Sequence, residues 1–365
     1  MKQKVALGLS GGVDSSVAAA LLIGQGYEVT GIYLECYNEP GCRTDQDKKD
    51  ALQVALKLGI KFEVLDFRKE YKEKVVEYFY SEYKAGRTPN PDVMCNREIK
   101  FGIFYDWAMQ NGFDYVATGH YSRVAEITNN QIPNSKQMLL QRARDESKDQ
   151  SYFLWQIPND HLNHVLFPLG EMLKSEVRAK AKELGLLTAT KPDSMGICFI
   201  GDIDVSKLLK DRLGENPGNV LHEGEVIGTH KGLWFYTIGQ RGGWEMIRLN
   251  HSNIKPINYL GLNFNNMPPL YVIGKNMDKN ELVVGERKET MKKQFKINSQ
   301  IINSQILKSG KRLWARIRNL GEIHEVESID KGVVTLKHQI FAPSEGQSCV
   351  FYNEEQVLVA GSIIV

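Results

Sequence analysis

The stretch from Val5 to Leu22, VALGLSGGVDSSVAAALL, places a turn rich in glycine and serine between an apolar strand-like run and a helix-like run. Such a turn brings backbone amides and a helix N-terminus close to a ligand, which favours an anion such as phosphate. It lacks the Gly-Lys-Ser/Thr of a Walker A loop, and it is not a Gly-x-Gly-x-x-Gly dinucleotide motif. Asp14 would repel phosphate unless a divalent cation bridged the two, so the pattern favours a site for ATP with Mg2+.

Strand and helix signals alternate over the first third of the chain. The predicted strands are Val5–Leu9, Val29–Leu34, Phe62–Phe67 and Tyr115–Thr118, and the predicted helices are Ser15–Ile23, a run through Ala51–Leu58, Glu70–Lys84 and Glu98–Met109. This alternation predicts an α/β fold with a doubly wound parallel sheet, whose ligands bind beyond the carboxyl ends of the strands. The turn after Leu9 and the segment Thr118–Tyr121 both follow strand ends, so we expect them to face one crevice.

The remainder of the chain changes character. Pro168–Leu186 has the spacing of one amphipathic helix, and Thr190–Asp202 is broken by proline, aspartate and glycine, which predicts a mobile loop. Beyond residue 205, short β-rich runs alternate with glycine, asparagine and aspartate. We therefore expect three domains: an α/β domain over residues 1–205, a small linking domain over 206–285, and a β-barrel over 286–365.

The composition limits the class of protein. No run approaches about 18 consecutive apolar residues, and the N-terminus leads directly into a strand, so we expect a cytoplasmic protein with no membrane span and no signal peptide. The chain has 5 cysteines, namely Cys36, Cys42, Cys95, Cys198 and Cys349. Because no Cys-x-x-Cys pair or zinc-like Cys/His spacing occurs, we expect most of them to be thiols.

The charge distribution is uneven towards the C-terminus. One stretch, Arg287–Arg318, holds a single acid, Glu289, among these basic residues: Arg287, Lys288, Lys292, Lys293, Lys296, Lys308, Lys311, Arg312, Arg316 and Arg318. From Asn319 onwards the balance reverses and acidic residues dominate. A basic stretch of this density is compatible with a polyanion partner and also with a merely solvated face.

Two further stretches carry cysteines in informative surroundings. In TPNPDVMCNREIKF (Thr88–Phe101), Cys95 stands just ahead of the predicted helix and next to Arg97, a setting that lowers a thiol pKa, and Asp92 is available as a general acid or base. DSMGICFIG (Asp193–Gly201) places Cys198 on the predicted mobile loop. Spacing alone does not pair them, since either cysteine is equally compatible with a small buried side chain.

The motifs together carry a family resemblance. SGGVDSS resembles the loop of the PP-loop ATP pyrophosphatases, which split ATP between the α and β phosphates and adenylate a substrate oxygen. On that interpretation the loop holds the departing pyrophosphate, and a Walker lysine is not required. With ATGHY, KDQSYFLW, FYTIGQR and GQSCVFY added to the stretches above, in the family's order over nearly the whole chain, the sequence resembles the tRNA-specific 2-thiouridylases.

The resemblance implies a reaction and its partners. ATP would adenylate the C2 oxygen of the wobble uridine in tRNAs for Lys, Glu and Gln, and a persulfide on Cys198 would deliver the sulfur. Cys95 is the implied nucleophile that releases sulfur and forms a Cys95–Cys198 disulfide, which a reductant resets. The implied partners are tRNA and an upstream persulfide relay protein or cysteine desulfurase, and we expect a monomer.

The resemblance also assigns binding roles, with no side chain assigned to a metal. The implied ATP contacts are Gly8, Leu9, Ser10, Gly11, Gly12, Val13, Asp14, Ser15, Leu34 and Gly119. The implied tRNA contacts are Asn90, Pro91 and Asp92 around the target base, together with His120, Lys148, Asp149, Gln150, Arg318, Asn319 and Gln347. If Arg318 contacts tRNA, the basic stretch that it closes is expected to face the phosphate backbone.

Some positions depart from the family pattern or have plainer interpretations. Gly242–Asn266 resembles an insertion, and Met195 and Asn319 stand where the family often has other residues. The sequence also predicts ordinary thiols at Cys36 and Cys42, and core positions at Trp234, Phe235, Tyr236 and Cys349. Three alternatives remain: a PP-loop enzyme that adenylates a small molecule, a non-catalytic tRNA-binding or redox-sensing protein, and an iron–sulfur-dependent thiolase.

Overall fold

The computed structural model describes residues 1–37, 44–128, 136–193, 204–246, 268–298 and 312–365. Cys42, Met195, Cys198 and most of the expected Gly242–Asn266 insertion lie outside these ranges, as does the predicted mobile loop from residue 194 onwards. Among the residues described, no helix has the length and apolarity needed to cross a membrane.

The first sheet has five parallel strands in the spatial order β3-β2-β1-β4-β7. Its strands are β1 (Lys4–Gly8), β2 (Glu28–Glu35), β3 (Lys61–Asp66), β4 (Tyr115–Ala117) and β7 (Val165–Leu166), and an antiparallel hairpin between β4 and β7 is formed by β5 (Ser122–Thr128) and β6 (Lys136–Arg142). The predicted doubly wound α/β fold is confirmed. The strand order reverses between β1 and β4, and ligands of such sheets bind at that point.

Helices cover both faces of this sheet. They are α1 (Val13–Gly24), α2 (Thr44–Leu58), α3 (Arg68–Tyr71), α4 (Glu77–Lys84), α5 (Pro91–Cys95), α6 (Phe104–Gln110), α7 (Ser151–Leu154) and α8 (Lys174–Glu183), with short 3-10 turns at His161–His164 and Leu187–Thr190. The π-helical segments Lys72–Val76 and Asn96–Ile103 join α3 to α4 and α5 to α6, which gives two longer helices over 68–84 and 91–110. The apolar residues of β1, β2 and β4 are therefore buried on both sides of the sheet, whereas the edge strand β3 has no buried residue.

Two predicted helices have different ends in the structure. The helix predicted over Glu98–Met109 begins at Pro91, because the Asn90 side chain accepts a hydrogen bond from the Val93 amide and proline suits the first helical position. The helix predicted over Pro168–Leu186 is confined to α8, because the Glu176 carboxylate accepts the Leu173 amide at 2.7 Å and fixes its start.

The second sheet has the order β10-β9-β8-β12-β11 and follows helix α9 (Val205–Leu213), which the sequence analysis missed. Its strands are β8 (Gly218–His222), β9 (Glu225–His230), β10 (Glu245–Met246), β11 (Leu270–Asn276) and β12 (Glu281–Glu286). Tyr236 is buried, as predicted, whereas Trp234 and Phe235 are only half-buried on the 3-10 turn Leu233–Phe235.

The third sheet contains six antiparallel strands in the order β13-β16-β15-β14-β17-β18. After helix α10 (Arg287–Thr290) come β13 (Met291–Lys296), β14 (Trp314–Arg316), β15 (His324–Asp330), β16 (Val333–Phe341), β17 (Ser348–Tyr352) and β18 (Leu358–Ile363). A bridge between Ile297 and Ile364 joins the two edges, so the sheet closes into the predicted barrel. Cys349 is fully buried in β17, and its predicted core position is confirmed.

Candidate active site

The glycine-rich turn lies at the carboxyl end of β1, where the strand order reverses. Gly11 has φ +74°, a conformation that favours glycine, and a Cβ atom there would overlap the backbone of Asp47 in α2. Lys191 also fixes the turn, because its Nζ donates to the Gly11 carbonyl at 2.9 Å and pairs with Asp47 at 2.7 Å and with Asp50. The backbone of the turn is therefore held by α2 and by the lysine that bridges to it.

The turn leads into the N-terminus of α1 in a way that suits an anion. Gly12 is the N-cap, and glycine has no side chain that could accept the amides of the first helical turn. The Ser15 hydroxyl is 3.2 Å from the Gly12 carbonyl and 3.1 Å from the hydroxyl of Ser10, which is exposed. Open amides, two hydroxyls and the helix dipole together form a cradle that fits a phosphate group.

The segment after β4 packs directly on this cradle. A Cβ atom on Gly119 would lie 2.7 Å from the Ser15 nitrogen, so only glycine allows this approach. The Tyr121 hydroxyl donates to Asp14 Oδ1 at 2.8 Å, and Gln150 holds Tyr121 through hydrogen bonds to both its amide and its carbonyl. The expectation that Thr118–Tyr121 and the glycine-rich turn face one crevice is confirmed.

His120 is buried beside the crevice. Lys100 Nζ lies 3.4 Å from Nε2 and can only donate, so Nδ1 carries the ring proton and donates to the Thr118 hydroxyl at 2.7 Å. Burial, and then the charge of Lys100, hold the pKa of His120 well below its ordinary value. The imidazole is therefore neutral at pH 7 and its role towards a nucleic acid is not that of a cation.

Three cations surround Asp14 and Asp193, and the sequence analysis had assigned a role only to Lys148. Lys174 Nζ lies 2.7 and 2.8 Å from the two carboxylate oxygens of Asp14 and 2.9 Å from Asp193 Oδ1. Asp193 also pairs with Lys148 at 2.9 Å and with Arg178. Partial burial opposes the charged form of Asp193, but the hydrogen bonds from Lys174 and Lys148 outweigh it and lower its pKa. We call these five residues the crevice cluster.

Cys95 does not have the predicted environment. It is the fifth residue of the helix that begins at Pro91, its side chain is fully buried, and its backbone is helical. The expectation of a thiol just ahead of a helix N-terminus is therefore wrong, because the Asn90 cap starts the helix at Pro91 rather than at Glu98, ahead of Cys95. Asp92 is half-buried, and Leu34, at the end of β2, is buried in the same core cluster as Cys95.

Asp149 lies at the contact between the α/β unit and the barrel. Its carboxylate is fully buried and accepts hydrogen bonds from Arg316 Nη1 at 2.6 Å, Ser151 Oγ at 3.0 Å and the Ala143 amide at 3.0 Å, with Arg142 Nε at 3.5 Å. Its side chain presents no surface to tRNA in this structure. Arg316 is buried as well, so the expected basic face does not include every cation of that stretch. We call Arg142, Asp149 and Arg316 the seam cluster.

The barrel reaches the segment that precedes Asn90. Gln347 Nε2 donates to the Thr88 carbonyl at 2.9 Å, and the Thr88 amide donates to the Glu345 carbonyl at 2.8 Å. Arg318 is half-buried, donates to the Ala342 carbonyl at 2.6 Å and lies over the Phe341 ring, whereas Asn319 is exposed. The structure therefore brings Gln347 to the N-terminal end of the helix that carries Cys95.

In the part of the chain that the structure describes, no three His, Cys, Asp or Glu side chains are grouped so that they could hold a metal ion. Asp14, the acid expected to bridge to a cation, is bonded to Lys174 and Tyr121. The described side chains alone therefore do not form a closed set of ligands for a divalent ion.

Two family models match most of the chain. One is described as the HUP domain of tRNA methyl transferase and matches residues 3–202, and the other is described as its PRC-barrel domain and matches residues 206–286.

Full-length relatives have a more specific name. Proteins named tRNA-specific 2-thiouridylase MnmA from Akkermansia muciniphila and Bacillus licheniformis are 40% and 41% identical to this chain. The first alignment covers 98% of both chains, and the second covers 99% of this chain and 94% of the relative. Among solved structures, the U34-tRNA thiolase NcsA from Methanococcus maripaludis is 19% identical, with a TM-score of 0.35 over 53% of this chain and 60% of that chain.

Proposed function

The chain belongs to the family of the tRNA-specific 2-thiouridylases, and we propose that it catalyses the ATP-dependent 2-thiolation of the wobble uridine in tRNAs for Lys, Glu and Gln. The supporting observation is the convergence of the glycine-rich turn and Gly119 on one cradle, with Lys100 of the helix that carries Cys95 reaching His120 beside it. ATP supplies the adenylyl group that makes the C2 oxygen a leaving group, and AMP and pyrophosphate are the by-products.

The cradle holds the nucleotide through its backbone. The amides of the first turn of α1 and the hydroxyls of Ser10 and Ser15 bind the phosphates, and Gly119 keeps the facing segment close. Leu34 lies at the end of β2, on the side where the adenine is expected. Mg2+ enters with ATP, and Asp14 is the carboxylate nearest to the phosphate cradle.

The tRNA binds along the α/β domain (1–205), with the linking domain (206–285) and the barrel (286–365) extending the surface. Asn90, Pro91 and Asp92 surround the target base, Lys148 is half-exposed beside the crevice, and Arg318, Asn319 and Gln347 contribute from the barrel. An unpaired base of the anticodon loop can be turned into a pocket at low cost. Because tRNA and ATP are its substrates, we place the protein in the cytoplasm. We expect it to act as a monomer.

Sulfur reaches the base from Cys198, which a relay protein or cysteine desulfurase loads as a persulfide. The persulfide's terminal sulfur forms the bond to C2 as the bond from C2 to the adenylated oxygen breaks, and AMP leaves with that electron pair. The Cys95 thiolate then attacks the Cys198 sulfur, the bond between that sulfur and the sulfur on C2 breaks, and 2-thiouridine leaves with the electron pair. A Cys95–Cys198 disulfide remains for a reductant to reset. Because the Cys95 side chain is buried, this step requires the packing around it to open, as catalytic sites often do when substrate binds.

Mass spectrometry of nucleosides tests the proposal directly. Purified protein is incubated with ATP, Mg2+, a cysteine desulfurase with cysteine as the source of persulfide sulfur, and unmodified tRNA that carries a wobble uridine, and the digested tRNA is examined for 2-thiouridine. We expect 2-thiouridine with the wild type and with the control Cys42→Ser, and none with Cys198→Ser. If the tRNA gained a methyl group and no sulfur, the result would contradict the proposal and support a tRNA methyl transferase, the activity in the name of the matching family.

The alternatives predict other results in the same assay. An enzyme that adenylates a small molecule would leave the tRNA unmodified and would not depend on Cys198. A non-catalytic tRNA-binding or redox-sensing protein would bind tRNA without converting ATP to AMP. An iron–sulfur-dependent thiolase would show visible absorption from its cluster and would lose activity with a chelator.

A further inference from the structure

Lys174 is in direct contact with Asp14, the carboxylate at the start of α1 in the cradle. Its Nζ lies within hydrogen-bond distance of both oxygens of Asp14, which stands in the first turn of α1, and its side chain is only 14% exposed. The glycine-rich turn itself contains no lysine. We propose that Lys174 supplies the positive charge that a Walker A loop carries in its own sequence, and that it holds the pyrophosphate of ATP as that group leaves. The inference rests on the proposed function.

The position of Lys174 is fixed independently of its side chain. Its backbone amide donates to Asp145 Oδ2 at 2.8 Å, and the preceding residue, Leu173, is held by Glu176 in the capping box of α8. Lys174 is therefore anchored at the first position of the helix, and its long side chain extends from there to Asp14. Only the ammonium end has to turn in order to meet a phosphate oxygen.

The partners of Lys174 keep other donors when it turns. Asp14 retains the hydroxyl of Tyr121, and Asp193 retains Lys148 and Arg178. A move towards phosphate therefore does not leave a half-buried carboxylate without a donor, which would be costly.

Lys191, the other lysine at the turn, is placed differently. Its three donors match three acceptors: the Gly11 carbonyl and the carboxylates of Asp47 and Asp50. Withdrawing it would release the turn from α2 as well as two carboxylates from their shared cation. Its arrangement is that of a residue that positions the loop, whereas the arrangement of Lys174 permits an exchange of partners.

The chemistry needs a cation at this place. When the uridine C2 oxygen attacks the α phosphorus, a bond from oxygen to phosphorus forms, and the bond from the α phosphorus to the bridging oxygen breaks. Pyrophosphate leaves with that electron pair, the base releases its N3 proton to solvent, and nothing is oxidised or reduced. An ammonium group that stays protonated stabilises the growing charge on the leaving oxygen.

Binding measurements separate this role from a structural one. By calorimetry, we expect Lys174→Met to weaken pyrophosphate and ATP binding about 10- to 100-fold, the loss typical of one charge-assisted hydrogen bond. AMP lacks the leaving group, so its dissociation constant is expected to stay within about threefold, which also shows that the variant is folded. Lys174→Arg is expected to restore part of the pyrophosphate binding. The control is Lys180→Met, a half-exposed residue on the same helix, and it is expected to leave the dissociation constants of pyrophosphate, ATP and AMP unchanged.

A double variant tests whether Lys174 only neutralises Asp14. If that were its role, Asp14→Asn combined with Lys174→Met would restore pyrophosphate binding to the wild-type level, which would overturn the proposal. We expect the double variant to remain as weak as Lys174→Met. The thiouridine assay on the wild type is separate, so unchanged pyrophosphate binding in Lys174→Met would reject this inference and leave the proposed function standing.

Discussion

Two ion-pair clusters of similar composition serve different purposes, although they are joined by adjacent residues. Lys148 belongs to the crevice cluster, with its side chain 39% exposed, and Asp149 belongs to the seam cluster, with its side chain 0% exposed. The carboxylate at the centre of the crevice cluster, Asp193, is 31% exposed. One cluster can therefore exchange partners with a ligand, and the other is sealed between the α/β unit and the barrel.

The difference shows that burial, rather than the type of charge, decides what an ion pair does. A buried pair gains little net stability over apolar residues of similar volume, but breaking it leaves an uncompensated charge in a medium of low polarity. A pair with at least one partly exposed member is screened by water and contributes less, so its members remain available for binding. The seam cluster is thus suited to holding domains in one arrangement, and the crevice cluster to receiving an anion.

Removing the buried carboxylate is the largest expected effect. Asp149→Asn leaves Arg316 and Arg142 without their shared anion, and we expect a loss of about 3–5 kcal/mol in the free energy of unfolding. Denaturant unfolding measures it, with Glu146→Gln as the control, because that residue pairs with Arg142 from an exposed position. If Asp149→Asn lowered the free energy of unfolding by no more than the control, the seam cluster would have to be accessible to water.

The two clusters also differ in how far the sequence could predict them. The parallel sheet and the phosphate cradle were predictable, because strand, turn and helix signals there are local and lie in one stretch. Lys174 was not, because its contact with Asp14 spans 160 residues of chain and leaves no local pattern. Asp149 was assigned to tRNA because it lies in a motif with Lys148, and only the docked barrel shows that its side chain is covered.

The helix that carries Cys95 shows a different kind of error. Pro89 and Pro91 each favour an extended backbone at the residue before them, but proline is also favoured at the first helical position when an asparagine caps it. The same sequence is compatible with an extended turn and with a helix. Tertiary packing of the apolar face over residues 91–110 favours the helix.

A methyl group added to the crevice backbone is expected to have the next largest effect. Gly11 and Gly112 have nearly the same φ, +74° and +75°, but only at Gly11 would a Cβ atom meet the neighbouring backbone of Asp47. We expect Gly11→Ala to cost about 1–3 kcal/mol more than Gly112→Ala, because overpacking adds to the shared cost of a positive φ. The measurements are the free energy of unfolding and the dissociation constant of pyrophosphate.

Gly112 is the matched control because no described atom lies within 4 Å of its added Cβ. Pyrophosphate binding is expected to weaken only in Gly11→Ala. Equal losses of stability in both variants would show that the crevice tolerates a change of backbone, which would weaken the contrast with the rigid seam.

His120 tests whether a charge on a buried group beside the crevice lowers stability, as an unpaired charge in the seam cluster is expected to do. Its pKa in the fold is well below the ordinary 6.5, so the unfolded chain takes up a proton first as the pH falls. Its contribution to stability is therefore complete above pH 6.5 and is lost below it, by at most about 1.4 kcal/mol per pH unit. Unfolding at pH 7.5, 6.5 and 5.5 should show a smaller decline for His120→Gln than for the wild type. Parallel declines would mean that the imidazole is protonated in the fold.

The smallest effect on stability is expected at Lys148. This residue immediately precedes Asp149 in the chain, so the contrast between their effects is the sharpest test of the two clusters. Lys148→Met leaves Asp193 with Lys174 and Arg178, so the free energy of unfolding should fall by only about 0.2–1 kcal/mol. If Lys148 meets a tRNA phosphate, the variant should lower the slope of the logarithm of tRNA affinity against the logarithm of salt concentration by about 1. Filter binding over a salt series measures that slope.

Asp149→Asn provides the comparison in the same salt series. Because its side chain is covered by the barrel, we expect its effect on tRNA affinity to be the same at every salt concentration, with the slope of the wild type. A slope changed by Asp149→Asn and unchanged by Lys148→Met would reverse the assignment of the two residues. The buried carboxylate would then act on the electrostatics of tRNA binding, and the exposed lysine would serve only the packing around Asp193.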